Sequence, residues 1–454
     1  MTKKLTEGEP AKLIFFFTLP LLAGNIFQQM YAFVDTLIVG RFLGVEALAA
    51  VGCTGSLMFL MLGFVMGLTT GFSIYTGQRF GAKDDRGVRQ SAAACAVLCL
   101  IISLILTVVG VAMCRWFLIW MQTPPEILEG AYQFISIIYA GIIVFVFLQM
   151  QSNIIRALGD SRTPTLIMGI GIGLNIILEP VAILVLDWGI PGAALATVVS
   201  QFIGNVLSFL FILKKMPVLH TRRRDWLVAT SRKMLWAHAR IGFPMGFQTS
   251  VIAVGAVILQ VALNNLGPTA VAAYAASQKV DSIATMPMMS FGLAMAAYTA
   301  QNYGARQYER IADGVKKCIY MSGTFSLVAG AFNIIFGPDI MYLFVGEGAE
   351  QVVEYGQTYL TINGACYWIL ALLFIYRNTL QGLGQSTVPT IAGVMELIMR
   401  SAAAIVLVSF WGYFGACWAN PLAWLGACLP LGIAYYATGR QLIPESVRHS
   451  AGRS

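Results

Sequence analysis

An all-α polytopic membrane protein, with twelve transmembrane helices in two pseudo-symmetric lobes of six, is the fold class this sequence predicts. Three observations predict it. Charge is scarce: of 454 residues 58% are hydrophobic and 11% charged, against about 25% charged in soluble domains. The uncharged runs have the length of a bilayer crossing. The first half of the chain recurs in the second.

The runs justify the elements in order. Lys12 and Asp35 bracket 22 uncharged residues, Arg89 and Arg115 bracket 25, and Glu129 and Arg156 bracket 26. Comparable runs lie between Asp187 and Lys214, Asp281 and Arg306, Lys317 and Asp339, and Glu354 and Arg377. A helix needs about 20 apolar residues to cross a 30 Å hydrocarbon core, and helices suit these lengths because lipid offers no partner to exposed backbone groups. Spans are expected near 13–40, 47–77, 90–114, 128–153, 163–187, 190–214, 239–264, 269–300, 314–337, 352–378, 388–410 and 413–437. The alternation of a membrane β-barrel is absent. Residues 1–12 are short and polar with no small-residue cleavage site, so Leu13 onward reads as the first span. The eight cysteines form no C-x-x-C pair and read as packing residues rather than metal or disulfide partners.

A formal charge of +8 raises the question of nucleic acid, and its distribution answers it. With both termini placed in the cytoplasm, inner segments hold 24 of the 29 basic residues, including Arg79, Lys83, Arg86, Arg89, Arg222, Arg223, Arg224, Arg232 and Lys233. Outer loops hold Arg41 and Arg115 against Glu46, Glu126, Glu129, Asp187, Asp339, Glu347, Glu350 and Glu354. This is the positive-inside asymmetry of a multi-pass inner-membrane protein. The run Arg222–Arg224 is therefore a topology determinant, and no nucleic-acid partner is expected.

Asn153-Ile-Ile-Arg-Ala-Leu-Gly159-Asp-Ser-Arg-Thr-Pro164-Thr aligns without gaps on Asn378-Thr-Leu-Gln-Gly-Leu-Gly384-Gln-Ser-Thr-Val-Pro389-Thr, 225 residues later. Leu43-Gly44 answers Leu266-Gly267 and Gln78-Arg-Phe-Gly81 answers Gln301-Asn-Tyr-Gly304, both at 223, and Pro20 answers Pro244 at 224. Six spans fit one period, so the halves are parallel repeats about an axis along the membrane normal. The expected organisation is an N-terminal lobe over 1–215, a basic linker over 216–237, a C-terminal lobe over 238–440 and a cytoplasmic tail over 441–454.

With Val34-Asp35-Thr-Leu-Ile-Val-Gly40-Arg-Phe-Leu-Gly44, Arg156-Ala-Leu-Gly159-Asp160, Leu174-Asn175-Ile-Ile-Leu-Glu179-Pro180 and Ala300-Gln301-Asn-Tyr-Gly304-Ala, the sequence resembles the multidrug and toxic compound extrusion (MATE) transporters over roughly 13–438. It looks nearest to their prokaryotic DinF-like branch. The resemblance implies a V-shaped pair of lobes exporting drugs or metabolites in exchange for protons or sodium ions. It implies no cofactor beyond that coupling ion, and a monomer whose partners are membrane lipid and small, cationic or amphipathic organic substrates.

Charge inside a bilayer is costly and marks function. Asp35 and Glu179 are the acids inside N-terminal spans, with no buried base expected there, and two such carboxylates cannot both stay ionised unless they hold protons or a cation. Asn175, four residues before Glu179, shares its helix face; amide, carboxylate and hydroxyl oxygens are ligands a hard cation prefers. Pro180 removes a backbone donor and loosens the helix there. The resemblance carries the family's first-span aspartate onto Asp35, its fifth-span asparagine and acid onto Asn175 and Glu179, and its sixth-span threonine onto Thr197. The acid is commonly aspartate, so Glu179 is a departure that leaves proton versus sodium open. No metal beyond a sodium ion at these four residues is expected.

The repeat carries none of this chemistry into the second lobe, which instead places Lys279, Asp281, Arg377, Glu396 and Arg400 inside its spans. Glu396 and Arg400, four apart, can pair on one face. Substrate-cleft candidates are Lys279, Asp281, Met286 and the glutamines Gln28, Gln29 and Gln248, expected to be buried. Gly63, Gly67, Gly71, Gly169 and Gly173 are expected to mark close helix packing. The rival reading of a lipid or lipid-linked oligosaccharide flippase needs a cationic cavity, for which Lys279, Arg377 and Arg400 are the available groups. An enzyme is not expected: His220, His238 and His449 lie in or beside cytoplasmic segments, and no Walker motif is present.

Overall fold

The computed structural model describes residues 4–345 and 348–451, with side chains described outside 344–345 and up to 440. Lys3, Glu347 and Arg453 of the charge count, and 452–454 of the tail, lie outside the described residues. The helices of the first half are α1 (Pro10–Leu43), α2 (Val45–Cys53), α3 (Gly55–Gly81), α4 (Asp85–Trp120), α5 (Pro125–Ala140), α6 (Ile142–Ala157), α7 (Arg162–Pro180) and α8 (Gly189–Lys215). After the short α9 (Arg223–Ala229) come α10 (Arg232–Asn264), α11 (Pro268–Gly304), α12 (Tyr308–Val345), α13 (Glu350–Gly382), α14 (Thr387–Ala402), α15 (Val408–Trp411), α16 (Tyr413–Cys417) and α17 (Ala419–Ala451). Among the described residues, eleven helices are long and apolar enough to cross a bilayer, and α5 with α6, bent by 49° at their junction, makes twelve if the pair is one broken span. The bend falls at Gly141, between those two helices.

The helices are inside-out relative to a soluble bundle. Along α4, Ser91, Cys95, Cys99 and Ser103 are buried at four-residue intervals. On its other face Leu104, Ile105 and Val108 are 53%, 55% and 68% exposed. Small residues let helices approach, and large apolar ones face lipid, where their exposure costs nothing. The cysteines share this small-residue role, and all eight are free.

The repeat is visible in the backbone. Left-handed glycines follow α1 and α10 (Gly44, φ 88°; Gly267, φ 99°), and Gly159 and Gly384 share φ 88° and 82°. Even the non-glycine exceptions pair: Lys83 at φ 57° answers Arg306 at φ 58°. A π-helical turn follows α7 over Val181–Val185 and another follows α14 over Ala403–Leu407. The second has no proline before it, so Pro180 alone does not explain the first.

The chain divides into two compact units, Met1–Lys4 with Ala23–Gly246, and Leu5–Leu22 with Phe247–Ser454. The division cuts α1 after Leu22 and α10 after Gly246, in each case two residues past the repeat-related prolines Pro20 and Pro244. In the first unit, the start of α10 is held by close contact and by polar ties. A Cβ on Gly71 would lie 2.5 Å from Gly242 Cα, and one on Gly67 would strike the Met245 carbonyl. His238 is fully buried; its Nδ1 donates to Met234 O at 2.8 Å, so Nε2 accepts from Ser91 Oγ, also at 2.8 Å. Gly169 and Gly173 differ from the expectation. Nothing comes within 4 Å of a Cβ on Gly173, and Gly169 meets only Phe27 at 3.9 Å. In the second unit, Ile14, Phe17 and Leu21 of α1 join the core formed by Met288, Met295, Tyr298 and Tyr367. The chain before α1 is tied down there: Leu5 N–H donates to Gln301 Oε1 at 2.9 Å and Asn302 Nδ2 donates to Leu5 O at 3.2 Å.

Candidate functional site

Three helices of the first unit bring the four predicted ligands together. Asn175 and Glu179 occupy the last turns of α7, where four-residue spacing stacks them on one buried face, 2% and 0% exposed. Thr197 comes from α8, the helix that packs along α7. The Asn175 amide satisfies both neighbours in one orientation: Nδ2 donates to Glu179 Oε2 at 3.2 Å, and Oδ1 accepts from the Thr197 backbone N–H at 3.2 Å. Thr197 Oγ1 lies 3.3 Å from the same Oδ1 and 3.2 Å from the Ala193 carbonyl, so two acceptors share one proton.

Asp35 reaches this group from α1, where its carboxyl group interacts with Glu179 and with the Tyr31 hydroxyl. Glu179 Oε1 is buried and meets no donor among the described residues. Two acid groups therefore face each other, with an amide and two hydroxyls around them. Along these elements the nearest basic side chain is Arg41, six residues past Asp35 on α1 and about 9 Å along the helix at 1.5 Å per residue, but it is exposed, and Arg162 at the start of α7 lies about 25 Å from Glu179. Arg156 is half-buried, against the expectation of no buried base in this half, but it sits at that same far end and donates to Asn153 Oδ1 at 3.3 Å. Two facing acid groups with no base against them among the described residues disfavour full ionisation of both.

Tyr31 is the member that sequence reasoning missed. Its hydroxyl lies 3.3 Å from Thr197 Oγ1 and also reaches Asp35, joining α1 to α8. The signal was present, since Tyr31 precedes Asp35 by four residues and must share its face.

Other expectations fare differently. Gln28 and Gln29 are exposed rather than buried, in a stretch of α1 from Ile26 to Met30 whose five residues, more than a full turn, are all exposed. Gln248 is 4% exposed, and both ends of its amide are engaged, Nε2 donating to Pro389 O and Oε1 accepting from Gln381 Nε2, each at 2.9 Å. Lys279 is exposed whereas Asp281, two residues on, faces inward. Asp281 accepts from Tyr367 at 2.7 Å, whose oxygen in turn accepts from Asn333 at 3.0 Å. Met286 is buried at 6% exposure. Glu396 does not pair with Arg400 but with Arg377 of α13, while Arg400 Nη1 donates to Ile252 O of α10 at 3.3 Å. A partner from a neighbouring helix can approach end-on, which the i, i+4 geometry within one helix does not require.

Comparison with known proteins closes the question of family. The chain is 27% identical over 423 residues to the probable multidrug resistance protein YpnP of Bacillus subtilis (strain 168), covering 93% of this chain and 90% of that protein. It is 20% identical over 412 residues to the multidrug export protein MepA of Staphylococcus aureus (strain NCTC 8325 / PS 47), covering 91% and 90%. In fold it is similar to the crystal structure of a MATE protein in complex with MaL6, with TM-score 0.89 and 24% identity over 99% of this chain and 100% of the other. A MOP superfamily transporter from Pyrococcus furiosus Vc1 (DSM3638) matches at TM-score 0.86 and 24% identity, covering 98% of each. The MatE sequence profile matches residues 20–181 and 244–409, one stretch in each half of the repeat, and the chain belongs to the MatE family.

Proposed function

We propose that this chain is a secondary active exporter of small organic, cationic or amphipathic compounds, driven by inward flow of protons or sodium ions through the site at Asp35, Asn175, Glu179 and Thr197. Membership in the MatE family supports the transport reading, as do relatives named for multidrug resistance and multidrug export. The observation that carries the coupling reading is the pair of facing carboxyl groups, with Glu179 Oε1 meeting no donor. A site of this kind is stable with a cation or proton shared between the acids and unstable without one. Its occupancy can therefore bias a two-state element, to the extent that the two states bind the ion unequally. The π turn directly after Pro180 supports the same reading, because it puts an irregular backbone segment beside Glu179. Tyr31 and Asn175 hold the acids in place, and Thr197 supplies an oxygen. On this reading both termini lie on the cytoplasmic face of the inner membrane.

Dye efflux from vesicles under separately imposed proton and sodium gradients tests the proposal. Asp35→Asn and Glu179→Gln should insert normally and lose gradient-driven efflux. Either variant pumping at the wild-type rate would remove that residue from the coupling site.

A further inference from the structure

We propose that the segment joining α8 to α10 is a docking surface for anionic phospholipid headgroups, which it holds through Arg222, Arg223 and Arg224. The segment is an ordered cap. Met216 and Leu219 are buried in the core of the first unit, and Ala229 packs against Ala93 and Ala94 of α4. Its one carboxylate, Asp225, is 3% exposed and already committed, accepting from Arg89 Nε at 3.3 Å and from the Arg222 backbone N–H at 2.9 Å. The surface left outside is therefore purely cationic in charge. Arg222, Arg223, Arg224, Arg232 and Lys233 are all exposed.

That surface is also apolar, which a face turned to water would not be. Leu227 is 73% exposed, Trp236 67% and Trp226 41%. Residues 216–231 leave one span at Lys215 and enter the next at Arg232, so the segment cannot move far from the plane where the two spans end. Indole rings with arginines beside them match the headgroup layer, where the rings reach the acyl boundary and the cations meet phosphate. A soluble acidic partner or RNA would have to compete with the leaflet for the same face. Charge complementarity thus points to phospholipids with net negative charge, not to zwitterionic ones.

Each lysine or arginine near a charged leaflet strengthens attraction about fivefold, so three together are worth on the order of a hundredfold. The purified full chain is titrated with phosphatidylglycerol or phosphatidylcholine in detergent, and bound lipids are counted by native mass spectrometry. Phosphatidylglycerol should be held far more tightly by the wild type. The combined Arg222→Gln, Arg223→Gln and Arg224→Gln variant should lose about that hundredfold while its phosphatidylcholine binding stays unchanged. The corresponding triple lysine variant should keep most of the preference. Arg115→Gln, which removes an exposed charge near the opposite end of α4, should leave it intact. If the glutamine variant does not fold, the wild type suffices: raising salt from about 0.1 M to 1 M shortens the screening length from about 10 to 3 Å and should collapse the preference. Equal retention of both lipids overturns the proposal, as does a preference that survives the triple glutamine change or high salt. Displacement of the lipid by inorganic phosphate, or by RNA bound on the same arginines, overturns it too.

Discussion

Gly71→Ala and Gly173→Ala look like the same experiment in sequence, one methyl added to a glycine within a glycine pair spaced by four in an apolar helix. The structure gives them opposite outcomes. At Gly71 the new Cβ would lie 2.5 Å from Gly242 Cα, 2.9 Å from Gly242 N and 3.1 Å from Ile241 C, all backbone atoms of α10. No rotamer can relieve a backbone contact. Restoring an ordinary carbon–carbon separation of about 3.5 Å requires α3 and the start of α10 to part by roughly 1 Å. Overpacking of this kind costs about 1–3 kcal/mol. The loss is concentrated where Ser91 and His238 also meet, so their hydrogen bond should weaken with it. At Gly173 nothing lies within 4 Å of the added carbon, and alanine should be neutral or stabilise the helix by up to about 1 kcal/mol. Thermal unfolding of the purified protein in one detergent, with ligand-free samples matched for lipid, measures both. The reasoning fails if Gly71→Ala is as stable as wild type, or if Gly173→Ala is the more damaging of the two.

Other expectations follow from the same geometry. Tyr31→Phe removes the hydroxyl that lies 3.3 Å from Thr197 Oγ1 and interacts with Asp35; a hydrogen bond to a charged group is worth about 1.5–3 kcal/mol, so the half-saturating cation concentration for efflux should shift by tenfold or more, with expression unchanged. Glu396→Gln strands the Arg377 guanidinium inside the second unit and should destabilise by about 3–5 kcal/mol, whereas the double change Arg377→Met with Glu396→Leu should recover most of it; a double-mutant cycle by thermal unfolding checks this. For topology, a membrane-impermeant thiol reagent applied to intact cells, with native thiols removed, should label Gly348→Cys and spare Ser231→Cys. The reverse pattern would invert the orientation.

The spans and the repeat were legible because both are written in one dimension. A run of 22–26 uncharged residues fixes a crossing, and recurrence at 223–225 fixes the equivalence that Gly44 with Gly267 and Lys83 with Arg306 then display in their dihedrals. Asn175 and Glu179 were legible for the same reason, since spacing within one helix determines a shared face. Misplaced partners were the ones that depend on how helices abut. Glu396 has two cations to choose from, Arg400 four residues on and Arg377 on α13, and only the approach of α13 to α14 selects Arg377. Tyr367 reaches Asp281 from another helix, 86 residues away in sequence, and is itself held by Asn333 of a third. No pattern local to α11 encodes them. Gly67 and Gly71 differ from Gly169 and Gly173 only in what faces them, which composition does not record.

The two halves keep a common backbone while differing in chemistry, and the π turns show how. Both halves place one after the helix that would carry the site, at Val181–Val185 and Ala403–Leu407. In the first half it follows directly on Glu179 and Pro180, and the acid beside it is left with an oxygen that no donor meets. In the second half, Arg400 stands one turn before the π segment, donating to a backbone carbonyl of α10, and Glu396 is neutralised by Arg377. The irregular turn is thus a property of the repeat, and the side chains next to it decide what it does. A charge that is already compensated within its own unit has no reason to take up an ion. The uncompensated acids at Asp35 and Glu179 do, which is why we propose coupling in the first unit, with Asp281, held by the Tyr367 hydroxyl and by no base among the described residues, as the second unit's rival. The test is an asymmetry: neutralising Asp35 or Glu179 should abolish gradient-driven efflux while leaving the fold intact, and neutralising Glu396 should weaken the fold first. Were Glu396→Gln with Arg377→Met to fold normally and abolish coupling, the assignment would pass to the second unit.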